Sequence, residues 1–188
     1  MTTHFIDIRI LPDPEFGQFI LLGALFSKLH RALVDLNSND IGVSFPDYSL
    51  RPRSLGQVLR LHGTDAALER LMGTSWLHGM WDHTSVSQQQ KVPDNAEHCQ
   101  FVRRQFKTNV ERLRRRRMRR KGETVEEACQ AIPDDVAREP ELPYVQLRSL
   151  STGQPFCLFL ERVKPCLEPT EGEFNTYGLS RTATVPWF

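Results

Sequence analysis

Between Arg103 and Lys121 the chain gathers one kind of chemistry. Eleven of its 24 basic residues fall there, with only one of its 23 acidic residues, Glu111. That stretch carries +10 and the remainder −9, so the net charge of +1 conceals a strong asymmetry. A dense cation segment on an otherwise acidic scaffold suits a polyanion partner. Arginine also supplies flat, bidentate donors for phosphates and guanine edges. The groups able to move a proton near neutral pH are the histidines, whose ordinary pKa of about 6.5 lets imidazole act as a base. There are six: His4, His30, His62, His78, His83 and His98.

The basic segment predicts a helix over about 108–121. Thr108-Asn109-Val110-Glu111 fits a capping box, and Gly122 suits the other end. At about 100° per residue, Val110, Leu113 and Met118 share one side, with Arg114 and Arg117 among them. Arg112, Arg115, Arg116 and Arg119 share the opposite side, with Arg120 at its edge. Like charges at these spacings repel, and a bound polyanion would relieve that cost. A solvated charged face is the plainer reading. A membrane-surface helix is disfavoured, because the apolar face is too small to insert. Duplex RNA has a major groove too narrow for side chains, so this helix would fit only a hairpin whose groove opens near a loop or stem end.

The elements that must hold these groups follow from periodicity. Phe5 to Leu11 alternates as a strand, ended by Pro12 and Pro14. From about Gly17 to Leu36 the period is helical, with Leu22, Leu25, Phe26, Leu29, Leu33 and Leu36 on one stripe. His30 lies roughly 80° from the stripe's centre, at the border of the core. Strands are predicted over Ile41–Phe45 and Gln57–His62, a helix capped by Thr64 runs to about Met72, and a final strand covers Thr84–Val92. The order β-α-β-β-α-β predicts an α+β protein with a ferredoxin-like domain over 1–94. Pro93–Ala96 reads as a linker. Residues 95–188 form a second, mixed α/β domain: an extended Cys99–Phe106, the basic helix, a helix over Thr124–Ile132, and strands at Tyr144–Leu150, Phe156–Val163 and Phe174–Leu179.

Composition narrows the classes. No apolar run approaches the roughly 20 residues of a membrane span, and the first residues lack a secretory pattern, so a cytoplasmic protein is the default. Cys99, Cys129, Cys157 and Cys166 form no C-x-x-C pair and read as buried, reduced thiols, not zinc ligands or disulfides. No metal and no small-molecule cofactor are expected.

Many blocks in order resemble the CRISPR-associated repeat endoribonucleases of subtype I-F systems. They include Asp7-Ile8-Arg9, Pro12-Asp13-Pro14-Glu15-Phe16, Leu25-Phe26-Ser27-Lys28-Leu29-His30 and Ile41-Gly42-Val43-Ser44-Phe45-Pro46. Further blocks are Glu111 to Arg116, Leu147 to Gln154, Tyr177-Gly178-Leu179-Ser180 and Val185-Pro186-Trp187-Phe188. The similarity covers essentially the whole chain. It implies metal-independent cleavage at the 3′ base of a CRISPR repeat hairpin, by attack of a 2′-hydroxyl on the neighbouring phosphate to leave a 2′,3′-cyclic phosphate. It also implies retention of the crRNA hairpin with other Cas subunits of a type I-F surveillance complex.

The resemblance assigns roles residue by residue. His30 matches the catalytic histidine, Ser149 a serine that holds the nucleophilic ribose, and Tyr177 the tyrosine that orients the histidine. Phe156 matches an aromatic stacked on the terminal base pair. Arg103 and Gln105 match a pair reading base edges low in the stem, and Arg116, Arg119 and Arg120 match groove-inserting arginines. Arg112 and Arg115 join them on the cationic face. Arg104 and Arg117 stand where the family carries apolar residues, Phe106 is bulkier, and Pro155 replaces a more polar neighbour. These departures spare the catalytic set and bear on which repeat is accepted. Without the resemblance, the residues admit two other readings: a hairpin-binding module without turnover, or a DNA-binding regulator using the arginine helix in a major groove.

Overall fold

The structure is a computed structural model that describes residues 2–106, 110–133, 140–149, 152–163, 166 and 168–188. Its first sheet grows from the predicted alternation. Strand β1 (His4–Ile10) buries Ile6, Ile8 and Ile10. Helix α1 (Gln18–Asp35) follows, then β2 (Gly42–Ser44), a hairpin of β3 (Ser49–Leu50) and β4 (Arg53–Ser54), β5 (Val58–Gly63), helix α2 (Asp65–Met72), β6 (Thr84–Val86) and β7 (Gln90–Lys91). The strands lie antiparallel in the order β2-β5-β1-β6, with β7 also on β1, which is the ferredoxin-like arrangement. Thr64 caps α2 as expected, its hydroxyl accepting from the Ala67 amide at 3.1 Å. The strand expected over Thr84–Val92 is split, because Ser87 accepts the Asp7 amide with its side chain at 2.9 Å and interrupts the ladder.

The chain divides into two compact units, Met1–Arg103 with Leu142–Phe188, and Arg104–Glu141. The larger unit adds β8 (Glu97–Cys99), β9 (Phe101–Arg104), β10 (Tyr144–Arg148), β11 (Pro155–Arg162) and β12 (Val185–Trp187). These form a sheet in the order β10-β11-β9 and a pair β12-β8. Helix α1 packs on both β1 and β10. Its Leu25, Phe26, Leu29 and Leu33 share one core with Ile8, Leu59 and Leu61 and with Val145, Leu147, Leu158 and Leu160. Gly23 sets the approach to β10: a Cβ there would stand 2.7 Å from the Gln146 carbonyl oxygen. The end of the chain is tied down by Arg60, which binds both Asp7 carboxylate oxygens, donates to the Phe188 carbonyl at 3.0 Å and lies over the rings of Phe5 and Phe188.

Two expectations are corrected. Phe174–Leu179 is a turn, because the Asn175 side chain captures the amides of Tyr177 and Leu179 and Gly178 takes a positive φ of 69°. The last strand is β12 instead. Of the cysteines, all are free thiols but only Cys99 is buried, whereas Cys157 and Cys166 are exposed. Burial pushes the Cys99 thiol up to about 12, so it is inert at neutral pH.

In the smaller unit, α3 (Val110–Lys121) packs on α4 (Val125–Ala131). The expected cap at Thr108 falls outside the described residues. Gly122 ends α3 at φ 68°, its amide donating to the Met118 carbonyl at 2.8 Å. Thr124 and Glu127 form a reciprocal capping box that starts α4. No helix among the described residues is long and apolar enough to cross a membrane.

Two predictions test this packing. Gly23→Ala should destabilise the fold by about 1–3 kcal/mol, since the new methyl meets a backbone oxygen that has nowhere to go; denaturant unfolding measures it. His62 is fully buried against Ser44, at 2.8 Å, and burial first, then the Arg60 and His98 charges, holds its pKa well below the ordinary 6.5. The unfolded chain therefore takes up this proton first as pH falls. His62's contribution is intact above pH 6.5 and is lost below it at about 1.4 kcal/mol per pH unit. Urea midpoints between pH 7 and pH 5 should fall one proton more steeply for the natural chain than for His62→Gln.

Candidate active site and nucleic-acid interface

The larger unit holds an open cavity of about 740 Å³ lined by His30, Tyr177, Ser149, Phe156 and Arg103 together with Arg31 and Arg148. Five of the residues selected from the sequence thus meet in one place, from α1, β9, the turn after β10, β11 and the turn before β12. Among the described residues the lining holds three arginines and no carboxylate, so it suits an anion. His30 is the one histidine on it; His62 is sealed in the core, and His83 is held by Asp13 at 2.8 Å.

The geometry around His30 fixes its chemistry. Nδ1 lies 2.8 Å from the Thr176 carbonyl oxygen. A carbonyl only accepts, so Nδ1 carries the hydrogen, and the neutral ring keeps its lone pair on Nε2. That is the tautomer a general base needs. The Tyr177 ring lies flat on the imidazole, with centroids 3.9 Å apart and planes 4° apart, and Phe26 stacks behind Tyr177 at 6.2 Å. Tyr177 thus fixes the ring's plane by its face, while Thr176 fixes its rotation.

Sequence reasoning missed the part that delivers both contacts. The Asn175 side-chain oxygen accepts the Tyr177 amide at 2.8 Å and the Leu179 amide at 3.2 Å, and the Gly178 amide donates to the Asn175 carbonyl at 2.8 Å. The Gly178 carbonyl in turn accepts the Val43 amide at 2.9 Å. A Cβ on Gly178 would stand 2.6 Å from the Val43 side chain, so both its positive φ and its space require glycine. The signal was present as an Asn-x-x-Gly turn, obscured by the apolar spacing of Phe174, Tyr177 and Leu179.

Ser149 follows β10 at the start of the turn to β11. Its amide donates to Gln154 at 2.9 Å, and its hydroxyl accepts the Thr152 amide at 3.3 Å. Phe156 pairs with Leu147 across the sheet and is half-buried, with the Arg103 guanidinium 5.9 Å from its ring centroid. Gln105 is exposed just past β9.

The other sequence-selected residues lie on α3. Arg112, Arg115, Arg116, Arg119 and Arg120 are all exposed, while Val110, Leu113 and Met118 turn inward. The two arginines on the apolar side are held within the unit: Arg114 donates to the Ile132 carbonyl at 2.8 Å, and Arg117 binds both Glu123 oxygens at 2.5 and 3.1 Å. That hydrogen bond lowers the Glu123 pKa, so the pair is ionised at neutral pH. Among the described residues Arg115, Arg116, Arg119 and Arg120 make no ion pair. They form a row of unneutralised, exposed guanidinium groups. Among the described residues there is also no cluster of three His, Cys, Asp or Glu side chains that could hold a metal.

The whole chain can be set beside known proteins. The family model described as "CRISPR-associated protein (Cas_Csy4)" matches residues 5–188. A protein of Pseudomonas aeruginosa (strain UCBPP-PA14), named CRISPR-associated endonuclease Cas6/Csy4, is 46% identical over 98% of this chain and 99% of its own length. A protein of the same name from Escherichia coli (strain UTI89 / UPEC) is 42% identical over the same shares. A match running from the first strand to the last residue, through every element that builds the His30 cavity, shows that the chain belongs to the Cas_Csy4 family of CRISPR-associated proteins.

Proposed function

We propose that the protein is an endoribonuclease that cuts CRISPR repeat hairpins in precursor crRNA without a metal. The observation that carries this reading is the His30 imidazole, with Nδ1 committed to Thr176 and its plane held by Tyr177, in a cavity lined by arginines. Its relatives' names, which describe CRISPR-associated endonucleases, support the same reading. His30 Nε2 takes the proton from a ribose 2′-hydroxyl. The oxygen attacks the adjacent phosphorus, the bond to the 5′-oxygen breaks, and that oxygen takes a proton from water while the His30 imidazolium returns its proton to solvent. The products are a 2′,3′-cyclic phosphate and a 5′-hydroxyl.

Ser149 holds the nucleophilic ribose, and Tyr177 orients His30. Phe156 stacks on the last base pair, a contact worth about 1–3 kcal/mol. Arg103 and Gln105 read base edges at the foot of the stem. Arg112, Arg115, Arg116, Arg119 and Arg120 grip the hairpin, so that residues 95–188 supply its RNA-binding surface and 1–94 supply His30. The enzyme then keeps the crRNA 3′ hairpin as a subunit of a type I-F surveillance complex in the cytoplasm.

His30→Ala should lower the single-turnover cleavage rate by at least about 10²–10⁴-fold while hairpin affinity holds. Cleavage should persist in excess chelator and stop when the nucleotide 5′ of the cut is 2′-deoxy. A folded His30→Ala protein that cuts at the natural rate, a metal requirement, or cleavage of the 2′-deoxy substrate would each defeat the mechanism. Binding of intact repeat RNA with no shortened product would favour a hairpin-binding module. Separately, Arg116→Gln should weaken hairpin binding and flatten the log–log salt dependence by about one unit, read by titration across salt concentrations.

A further inference from the structure

Helix α1 carries a second group of polar side chains that the reaction above does not use. Lys28, Arg31 and Asp35 line a cavity of about 400 Å³ together with Ser75 and Trp76, from the loop after α2. Arg31 lines this cavity and the His30 cavity alike, so the two adjoin across one exposed guanidinium. The Lys28 ammonium donates to the His78 carbonyl at 2.6 Å, which fixes it to the loop and leaves it two further hydrogens to give. Trp76 is buried, and its Nε1 is closed off from solvent, so the polar groups the cavity offers an anion are the two cations. Among the described residues Asp35 is the one acid on this lining, a turn beyond Arg31 on α1, so with Lys28 and Arg31 the space stays net positive.

A substrate cut beside its stem has two ends to accommodate. The 5′ side is the folded hairpin; the 3′ side is single-stranded and must continue past His30. Among the residues lining the His30 cavity, Arg31 is the one that also lines this neighbouring, cationic space. We propose that the cavity lined by Lys28, Arg31 and Trp76 is a subsite for the single-stranded RNA immediately 3′ of the cut, its phosphate held by the Lys28 ammonium and the Arg31 guanidinium. The inference rests on the endoribonuclease reading and adds a direction to it. Uncut RNA gains contacts that the retained hairpin lacks, so the downstream fragment is held until the chain is severed and then released.

The test compares two 2′-deoxy-blocked repeat hairpins, one ending a single nucleotide past the scissile phosphate and one extended by several. The extension should raise affinity of the natural chain about tenfold, the scale of one charge-assisted contact. It should also steepen the salt dependence by about 0.7 per phosphate held. Lys28→Met should remove most of that gain yet bind the short hairpin normally, and Lys28→Arg should retain it. Equal affinity of the natural chain for both RNAs, or variants that lose the short and extended hairpins alike, would overturn the subsite and leave the nuclease reading standing. Failure to bind even the short hairpin would overturn the nuclease reading, and the subsite with it.

Discussion

Everything at the His30 cavity depends on one hydrogen bond, from Nδ1 to the Thr176 carbonyl. An imidazole has two nitrogens, and only the neutral ring can act as a base. Committing one nitrogen to an oxygen that cannot donate decides where the other's lone pair lies. The bond is only as fixed as the turn that presents the carbonyl. That turn is held three ways: by the Asn175 side chain, by the positive φ of Gly178, and by the bond between Val43 and the Gly178 carbonyl. The same turn sets Tyr177 flat against the ring, so one short segment fixes both the plane and the rotation of the His30 imidazole.

His30 itself stands on a helix with almost no room to move. Helix α1 is packed on β1 and β10, and its core residues are sealed among those of both sheets. At Gly23 the helix and β10 approach so closely that no side chain fits between them. The strand that Gly23 touches leads directly into Arg148 and Ser149. The spacing of His30 and Ser149 is therefore set by backbone packing and not by flexible side chains, which is how rigid elements hold side chains in register.

Charge on α3 is sorted by the same logic of satisfaction. Arginines that fall on the inward side cannot be left unpaired at low exposure, and each has a partner: Arg114 a helix-end carbonyl, Arg117 a carboxylate. Those on the outer side are exposed, and four of them make no ion pair within the described chain. Two arginines thus tie α3 to the residues that flank α4, Glu123 before it and Ile132 after it, and the others stay exposed.

The sequence by itself determined what depends on local periodicity and on type. The alternation of Phe5 to Ile10 and the stripe from Leu22 to Leu33 specify β1 and α1, and the wheel of residues 110–121 specifies which arginines face out. Thr64, Thr124 and Gly122 mark helix ends through local hydrogen bonds that need no distant partner. His30 was legible as a histidine at the border of a core, but five others competed with it on equal terms without the family resemblance. What only the tertiary structure decided is non-local. It brought Thr176 and Tyr177 to a histidine 146 positions away, made a turn where apolar spacing predicted a strand, and joined Arg31 to two cavities at once. Periodicity encodes which face of an element is buried; it carries no record of what will be buried against it, and the chemistry of this site resides in that second fact.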